Sequence, residues 1–269
     1  MKIVAIPFAL ALAVPGCKRD DTAVAEKLDG IAARLDSIEK NLAAAPRGAA
    51  GANAAAGQRA QRPRPKPELT YSVPIEGAPI RGDKEALVTI VEAFEFACPY
   101  CEQSRGLVDQ VLEKYPNDVR VAYKHYIIHP NVATTPALAA CAATAQGKYS
   151  ALEPLIWDKG YKANRNLGAD NMLVLAKEAG LDVARFKADM EGKACADKVK
   201  RDQAELAQVG VGSTPNFFVN GRHVAKRSPE AFQALIDEEL KKAKERVAKG
   251  TKPADYYKEW VVAKGEKKL

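Results

Sequence analysis

Cys98 and Cys101 sit two residues apart in the segment Phe94-Glu95-Phe96-Ala97-Cys98-Pro99-Tyr100-Cys101. A pair so spaced can carry out reversible disulfide exchange, or it can form half of a tetrahedral zinc site. Val88 to Phe94 is an apolar, β-branched run of buried-strand type, and Pro99 to Lys114 carries Leu107, Val108, Val111, Leu112 and Tyr115 at helical spacing. Pro99 falls at the first helical position, where its missing N–H is one of the unpaired donors in any case. Cys98 therefore faces free backbone N–H groups and the positive end of the helix dipole, which predicts a lowered pKa and a nucleophilic sulfur. Cys101, one turn later, is within reach to resolve a mixed disulfide. The zinc alternative draws on His125, His129 and His223, but 23 residues separate Cys101 from His125, outside finger spacing. No metal is expected, and no local Ser-His-Asp motif indicates a hydrolase.

The elements that must position this pair follow from punctuation. After the first strand and helix, Val119 to Ile128 is a second strand. Thr135-Pro136 reads as N-cap and N1 of a helix closing at Gly147, and Ser150 with Glu153 has capping-box spacing. Asp170 to Gly180, a turn from Asp182, and Ala194 to Val209 continue a helical block. Asn216 to Val219, Asn220-Gly221 and Arg222 to Val224 read as strand, two-residue turn and strand. Ser228-Pro229 then caps a last long helix with Phe232, Leu235, Ile236 and Leu240 on one face.

Val88 to Cys101, taken with Gly212-Ser213-Thr214-Pro215-Asn216-Phe217-Phe218-Val219-Asn220-Gly221, resembles the DsbA-like branch of the thioredoxin superfamily. The resemblance implies an α/β thioredoxin fold over residues 70–250, with an inserted helical domain at about 134–207 and an opening strand at Tyr71 to Ile75. It implies that Pro215 follows a cis peptide bond beside the active disulfide and that Thr214 offers its backbone to an extended substrate, with Pro99 and Tyr100 on the same substrate-facing surface. Glu92 matches a buried acid that relays the proton of Cys101; the other reading is a strand residue facing solvent. Lys124 falls on the next strand, where it could pair with Glu92 or serve as a structural ion pair. Tyr100 stands where DsbA proper has His, which removes a cationic neighbour and puts a very strongly oxidising potential in doubt. The redox-active disulfide itself is the only redox group implied, with no further cofactor.

Outside that region, Ile3 to Val14 is an apolar run too short to span a bilayer as a mature helix and right for a signal segment, 1–16. It ends at Val14-Pro15-Gly16-Cys17, which resembles a bacterial lipobox and makes Cys17 the candidate lipid-attachment site; an uncleaved anchor or a stray Cys are the alternatives. Within 17–45, Val24, Leu28, Ile31, Leu35, Ile38 and Leu42 are spaced 4, 3, 4, 3, 4, a heptad seam expected to form a coiled coil of more than two chains, or else one face of a lone surface helix. Residues 46–69 read as a Pro-, Ala- and Arg-rich flexible linker, and 251–269 as a basic C-terminal tail. Cys141 and Cys195 remain, as a structural disulfide in an exported protein or as separate core thiols.

Charge restricts the partners. The formal net charge is +7, but residues 68–240 carry 20 basic and 24 acidic groups, so the excess lies in the linker and tail. A basic groove for nucleic acid is not indicated. The sequence therefore points to an exported, lipid-anchored periplasmic thiol:disulfide oxidoreductase, oxidase or isomerase or reductase, acting on cysteine-containing exported proteins and served by a redox partner. A non-catalytic lipid-anchored tether or chaperone-like binder on the same fold is the alternative.

Overall fold

The computed structural model describes residues 21–43 and 64–269. The signal segment, Cys17 with its lipid, and linker residues up to 63 lie outside the described residues. Two compact units divide after Gln61. In the first, α1 (Asp21–Ala43) is one helix on which Leu28, Ile31, Leu35 and Ile38 are 54–60% exposed. Among the described residues, no helix is long and apolar enough to cross a membrane.

The second unit is built on a five-stranded sheet ordered β1-β3-β2-β4-β5, from β1 (Ile80–Gly82), β2 (Val88–Phe94), β3 (Val119–His125), β4 (Asn216–Val219) and β5 (Arg222–His223). β2 and β3 are parallel, and the remaining pairs are antiparallel. Every residue of β2 is buried, as its continuous apolar run requires of a strand covered on both faces. Val88, Ile90 and Phe94 face a core shared with α2 (Pro99–Lys114), the start of α8 (Pro229–Ala248) and the helical block; Val91 and Ala93 face a second core with Leu206, Tyr257 and Val261. The β4–β5 turn is Asn220-Gly221 with φ of +42° and +78°, the left-handed pair that a two-residue hairpin needs. The Asn220 side chain accepts from Thr89 N–H at 2.8 Å and donates to Leu87 O at 3.1 Å, stitching that turn to β2.

Between β3 and β4 lies the helical block: α3 (Pro130–Ala145), α4 (Tyr149–Leu155) running into a π-helical segment (Ile156–Ala163), α5 (Ala169–Glu178), α6 (Val183–Glu191) and α7 (Lys193–Gln208). Cys141 of α3 and Cys195 of α7 form a disulfide, with Cα atoms 5.6 Å apart. The block's first helix starts at Pro130, ahead of the Thr135-Pro136 expected from the sequence. Two prolines compete for the N1 role; His129, just before Pro130, is fixed by Glu95, and Pro136 is carried inside the helix without a backbone N–H to give. Ser150 is not a cap either: Lys148 occupies the N-cap of α4 and Glu153 turns inward.

Three further differences concern the edges. β3 ends at His125, before Ile128. The opening strand is not Tyr71 to Ile75, whose only ladder contact is a bridge from Tyr71 to Glu266; Ile80–Gly82 pairs with β3 instead. The body also extends past 250, because Tyr256, Tyr257 and Val261 are buried and Leu269 N–H donates to Gln208 O at 2.9 Å.

Candidate active site

β2 runs out at Phe94, and the turn Glu95 to Ala97 delivers Cys98 to the N-cap of α2. Cys98 has extended backbone (φ −89°, ψ 119°), so its carbonyl accepts from Cys101 and Glu102 N–H, both at 3.2 Å, while Pro99 starts the helix. Both cysteines carry free thiols and are buried, and Tyr100 between them is 63% exposed. Because β4 pairs antiparallel with β2, with Asn216 opposite Ala93, the residues preceding β4 return alongside Cys98. The Thr214–Pro215 bond is cis, and the Cys98 Sγ lies 3.4 Å from Thr214 O. Arg227, unremarked in the sequence, donates to Pro215 O at 3.2 Å and braces this loop.

The two sulfurs differ in their electrostatics. Hydrogen bonding from Cys101 pulls the Cys98 thiol down to about 5, against the opposing cost of burial and with help from Thr214 and the backbone N–H groups of Cys101 and Tyr100. Burial pushes Cys101 far up, and its hydrogen bond to Cys98 and the nearby Glu92 charge add to that. One sulfur is a thiolate at neutral pH and its neighbour a thiol.

Glu92 points into the core beneath this pair and is 4% exposed, so the solvent-facing reading is excluded. Burial raises its carboxyl to about 8; the Ser104 hydroxyl, donating to Oε1 at 3.1 Å, works against this, and the charges of Glu153 and Cys98 work with it. Lys124 does not reach Glu92. The parallel register sets Glu92 beside Tyr123 and Ala93 beside Lys124, so the two charges project from opposite faces of the sheet. Lys124 instead donates to Pro74 O at 2.7 Å and to Glu205, with Asp202 Oδ1 at 3.3 Å. Of the histidines, His125 is buried against the Phe94 and Phe96 rings, and burial lowers it to about 4. His129 contacts Glu95, and His223 lies on β5 against Phe218.

Ser104, Glu153 and Glu95 surround the site; none reads from sequence as a site residue, and Glu153 reads there as a capping-box partner. Glu95 had a legible signal, a second acid in an otherwise apolar approach to Cys98. Ser104 and Glu153 had none, because their contact with the site depends on how α2 and α4 pack.

Alkylation of the reduced protein as a function of pH is expected to give a midpoint near 5 for Cys98 while Cys101 stays unreactive. Equal reactivity at both sulfurs would contradict the asymmetry. Glu92 gives a second expectation. Its carboxyl titrates at about 8 when folded against an ordinary 4.5, so between those values the folded chain holds a proton the unfolded chain has released. Stability is fully present below 4.5 and declines as pH rises towards about 8. Glu92→Gln should flatten that decline in urea-unfolding midpoints and be the more stable protein at the alkaline end. Parallel declines in parent and variant would rule out burial of the carboxyl as the cause.

A family model described as thioredoxin matches residues 75–238. Among curated proteins, the chain is 33% identical over 145 residues to a Na(+)/H(+) antiporter NhaA of Herminiimonas arsenicoxydans, 54% of this chain and 22% of that protein. It is 32% identical over 178 residues to Na(+)/H(+) antiporter NhaA 3 of Salinispora tropica, 65% of this chain and 26% of that protein. The chain thus spans about a quarter of the length of these curated relatives, and ion transport does not carry over from them. A solved thioredoxin-like oxidoreductase from Silicibacter pomeroyi DSS-3 is 29% identical with a TM-score of 0.51, covering 65% of this chain and 94% of that one. BdbD from Bacillus subtilis, in its oxidised form, superposes with a TM-score of 0.59 at 19% identity, covering 64% of this chain and 98% of that one; at that identity the likeness is one of fold. The sheet order, the thiol pair opening α2 and the cis proline beside it are thus joined by a family match over more than half of the sequence, and the chain belongs to the thioredoxin family.

Proposed function

We propose that this protein is an exported thiol:disulfide oxidoreductase acting on cysteines of other proteins through Cys98-Pro99-Tyr100-Cys101. The observation that carries the reading is the unequal thiol pair at the start of α2, with Cys98 at about 5 and Cys101 far above neutrality. An ionised sulfur attacks a substrate disulfide; the bond within that disulfide breaks, one substrate sulfur leaves as a thiolate, and Cys98 becomes linked to the other. Cys101 then displaces that sulfur and closes the Cys98–Cys101 disulfide. Run backwards, the same atoms oxidise a substrate dithiol, and the redox partner that restores the pair sets the direction. Thr214 and Pro215 border Cys98 as the surface for an extended chain, with Pro99 and Tyr100 on the exposed side. Glu92 takes up and returns the Cys101 proton, for which a carboxyl near 8 is well matched. The name of the Silicibacter relative, a thioredoxin-like oxidoreductase, supports this reading.

The Cys17 lipid and the periplasmic setting belong to the same proposal, and the Cys141–Cys195 disulfide fits an oxidising compartment. So does self-association through α1. Leu28, Ile31, Leu35 and Ile38 present an exposed apolar seam among the described residues, and Leu at a with Ile at d favours three or four chains over two. Several active sites on one assembly suit disulfide shuffling better than one-pass oxidation.

Cys101→Ala is expected to accumulate mixed disulfides through Cys98 when exposed to an oxidised protein substrate, visible as thiol-sensitive species on a gel. A non-catalytic tether would trap nothing. Sedimentation with and without residues 18–45 is expected to show loss of a trimer or tetramer on deletion, and monomers in both cases would remove α1 from the assembly.

A further inference from the structure

We propose that Glu95 is a positioning residue for disulfide exchange: its buried carboxylate ties the loop that opens the helical block to the turn that presents Cys98, and so holds Cys101 in line to resolve a mixed disulfide. This rests on the role given above to Cys98 and Cys101.

The Glu95 side chain has no exposed surface. A carboxylate in such a place survives only if hydrogen bonds replace its water. Its Oε2 accepts from Ile128 N–H at 2.7 Å and His129 N–H at 3.0 Å, and its Oε1 contacts His129 Nδ1. His129 is the N-cap of α3, so the same contacts fix where the helical block begins. The main chain of Glu95 meets Cys98. Its carbonyl accepts from Cys98 N–H at 3.3 Å, and the Cys98 carbonyl in turn accepts from Cys101 N–H at 3.2 Å. One residue thus joins two parts, the turn before the nucleophile and the first helix of the block, and the backbone bonds from Cys98 carry that constraint to Cys101.

Resolution depends on that alignment. Cys101 gives up its proton and its sulfur attacks the Cys98 sulfur of the mixed disulfide. The Cys98–partner bond breaks, the partner sulfur leaves with the electron pair and takes up a proton, and the Cys98–Cys101 bond forms. The pair ends oxidised and the partner thiol is released reduced. Cys101 is 1% exposed and cannot swing through solvent to find its geometry, so the backbone from 95 to 98 must hold it.

The test reacts the reduced full-length protein with oxidised glutathione, quenches with acid, and follows the Cys98–glutathione adduct by mass spectrometry. Glu95→Ala is expected to leave adduct formation intact and slow its resolution about tenfold. Glu95→Gln, which keeps an acceptor for the two N–H groups, should restore the rate to within about twofold. Asp182→Ala removes the N-cap bond to Arg185 N–H in α6, away from the thiols, and controls for lowered stability; its resolution rate should equal the parent's. An unchanged rate in Glu95→Ala, a Glu95→Gln rate as slow as that of Glu95→Ala, or equal slowing in Asp182→Ala each overturns the proposal. If Glu95→Ala does not fold, His129→Ala takes its place, with resolution about threefold slower expected and an unchanged rate counting against the proposal. A parent protein that forms no adduct at all would instead refute the reading of Cys98 and Cys101 on which the proposal rests.

Discussion

Every residue of β2 is buried, the strand lies between two cores, and the properties of the thiol site follow from that enclosure. A residue pointing off either face of this strand enters an apolar medium, so Glu92 keeps its proton to an unusually high pH. The end of the strand is fixed by its neighbours on both sides, β3 in parallel and β4 in antiparallel, and this fixes where the chain turns to release Cys98. A strand with one wet face would have let the turn move and left the acid ionised.

The two sulfurs then divide the environment between them. Cys98 occupies the helix start, where donors are plentiful, and Cys101 is one turn deeper, where burial dominates. The site needs no cation beside Cys98 to maintain this contrast, because the backbone of α2 and the sulfur of Cys101 provide the donors. Tyr100 is free to face solvent.

Much of this was legible before any coordinates. The mostly apolar, β-branched segment Val88 to Phe94 marked β2, Pro99 the start of α2, and Asn220-Gly221 the hairpin, because each is a local rule that the rest of the fold does not contest. What failed depended on distant partners. Lys124 had two readings, a pair with Glu92 or a structural ion pair, and the register decided for the second by putting Glu92 and Lys124 on opposite faces, a question of odd and even positions that no single strand can answer. The start of α3 went to Pro130 over Pro136 because Glu95, more than thirty positions earlier, holds the residue before it. Residues 251–269 read as a basic C-terminal tail by composition, but three of their apolar side chains, Tyr256, Tyr257 and Val261, are buried in the second core.

That last segment also affects how the body bears load. Glu266 N–H donates to Thr70 O at 2.8 Å and Ser72 N–H to Glu266 O at 2.9 Å, so the two ends of the body are joined to each other where Thr70 also meets Arg222 of β5. Gly265 makes room for this, since a Cβ there would lie 2.6 Å from Ser72 N. A pull on residue 64 would load the Lys66 N–H bond to the Tyr71 hydroxyl and the Arg222 bond to Pro67 O before it reached these two bonds and the Thr70–Arg222 bridge. Among the described residues the ladder partners of β2 are β3 and β4, so a pull on that end would reach the strand leading to Cys98 by way of its neighbours.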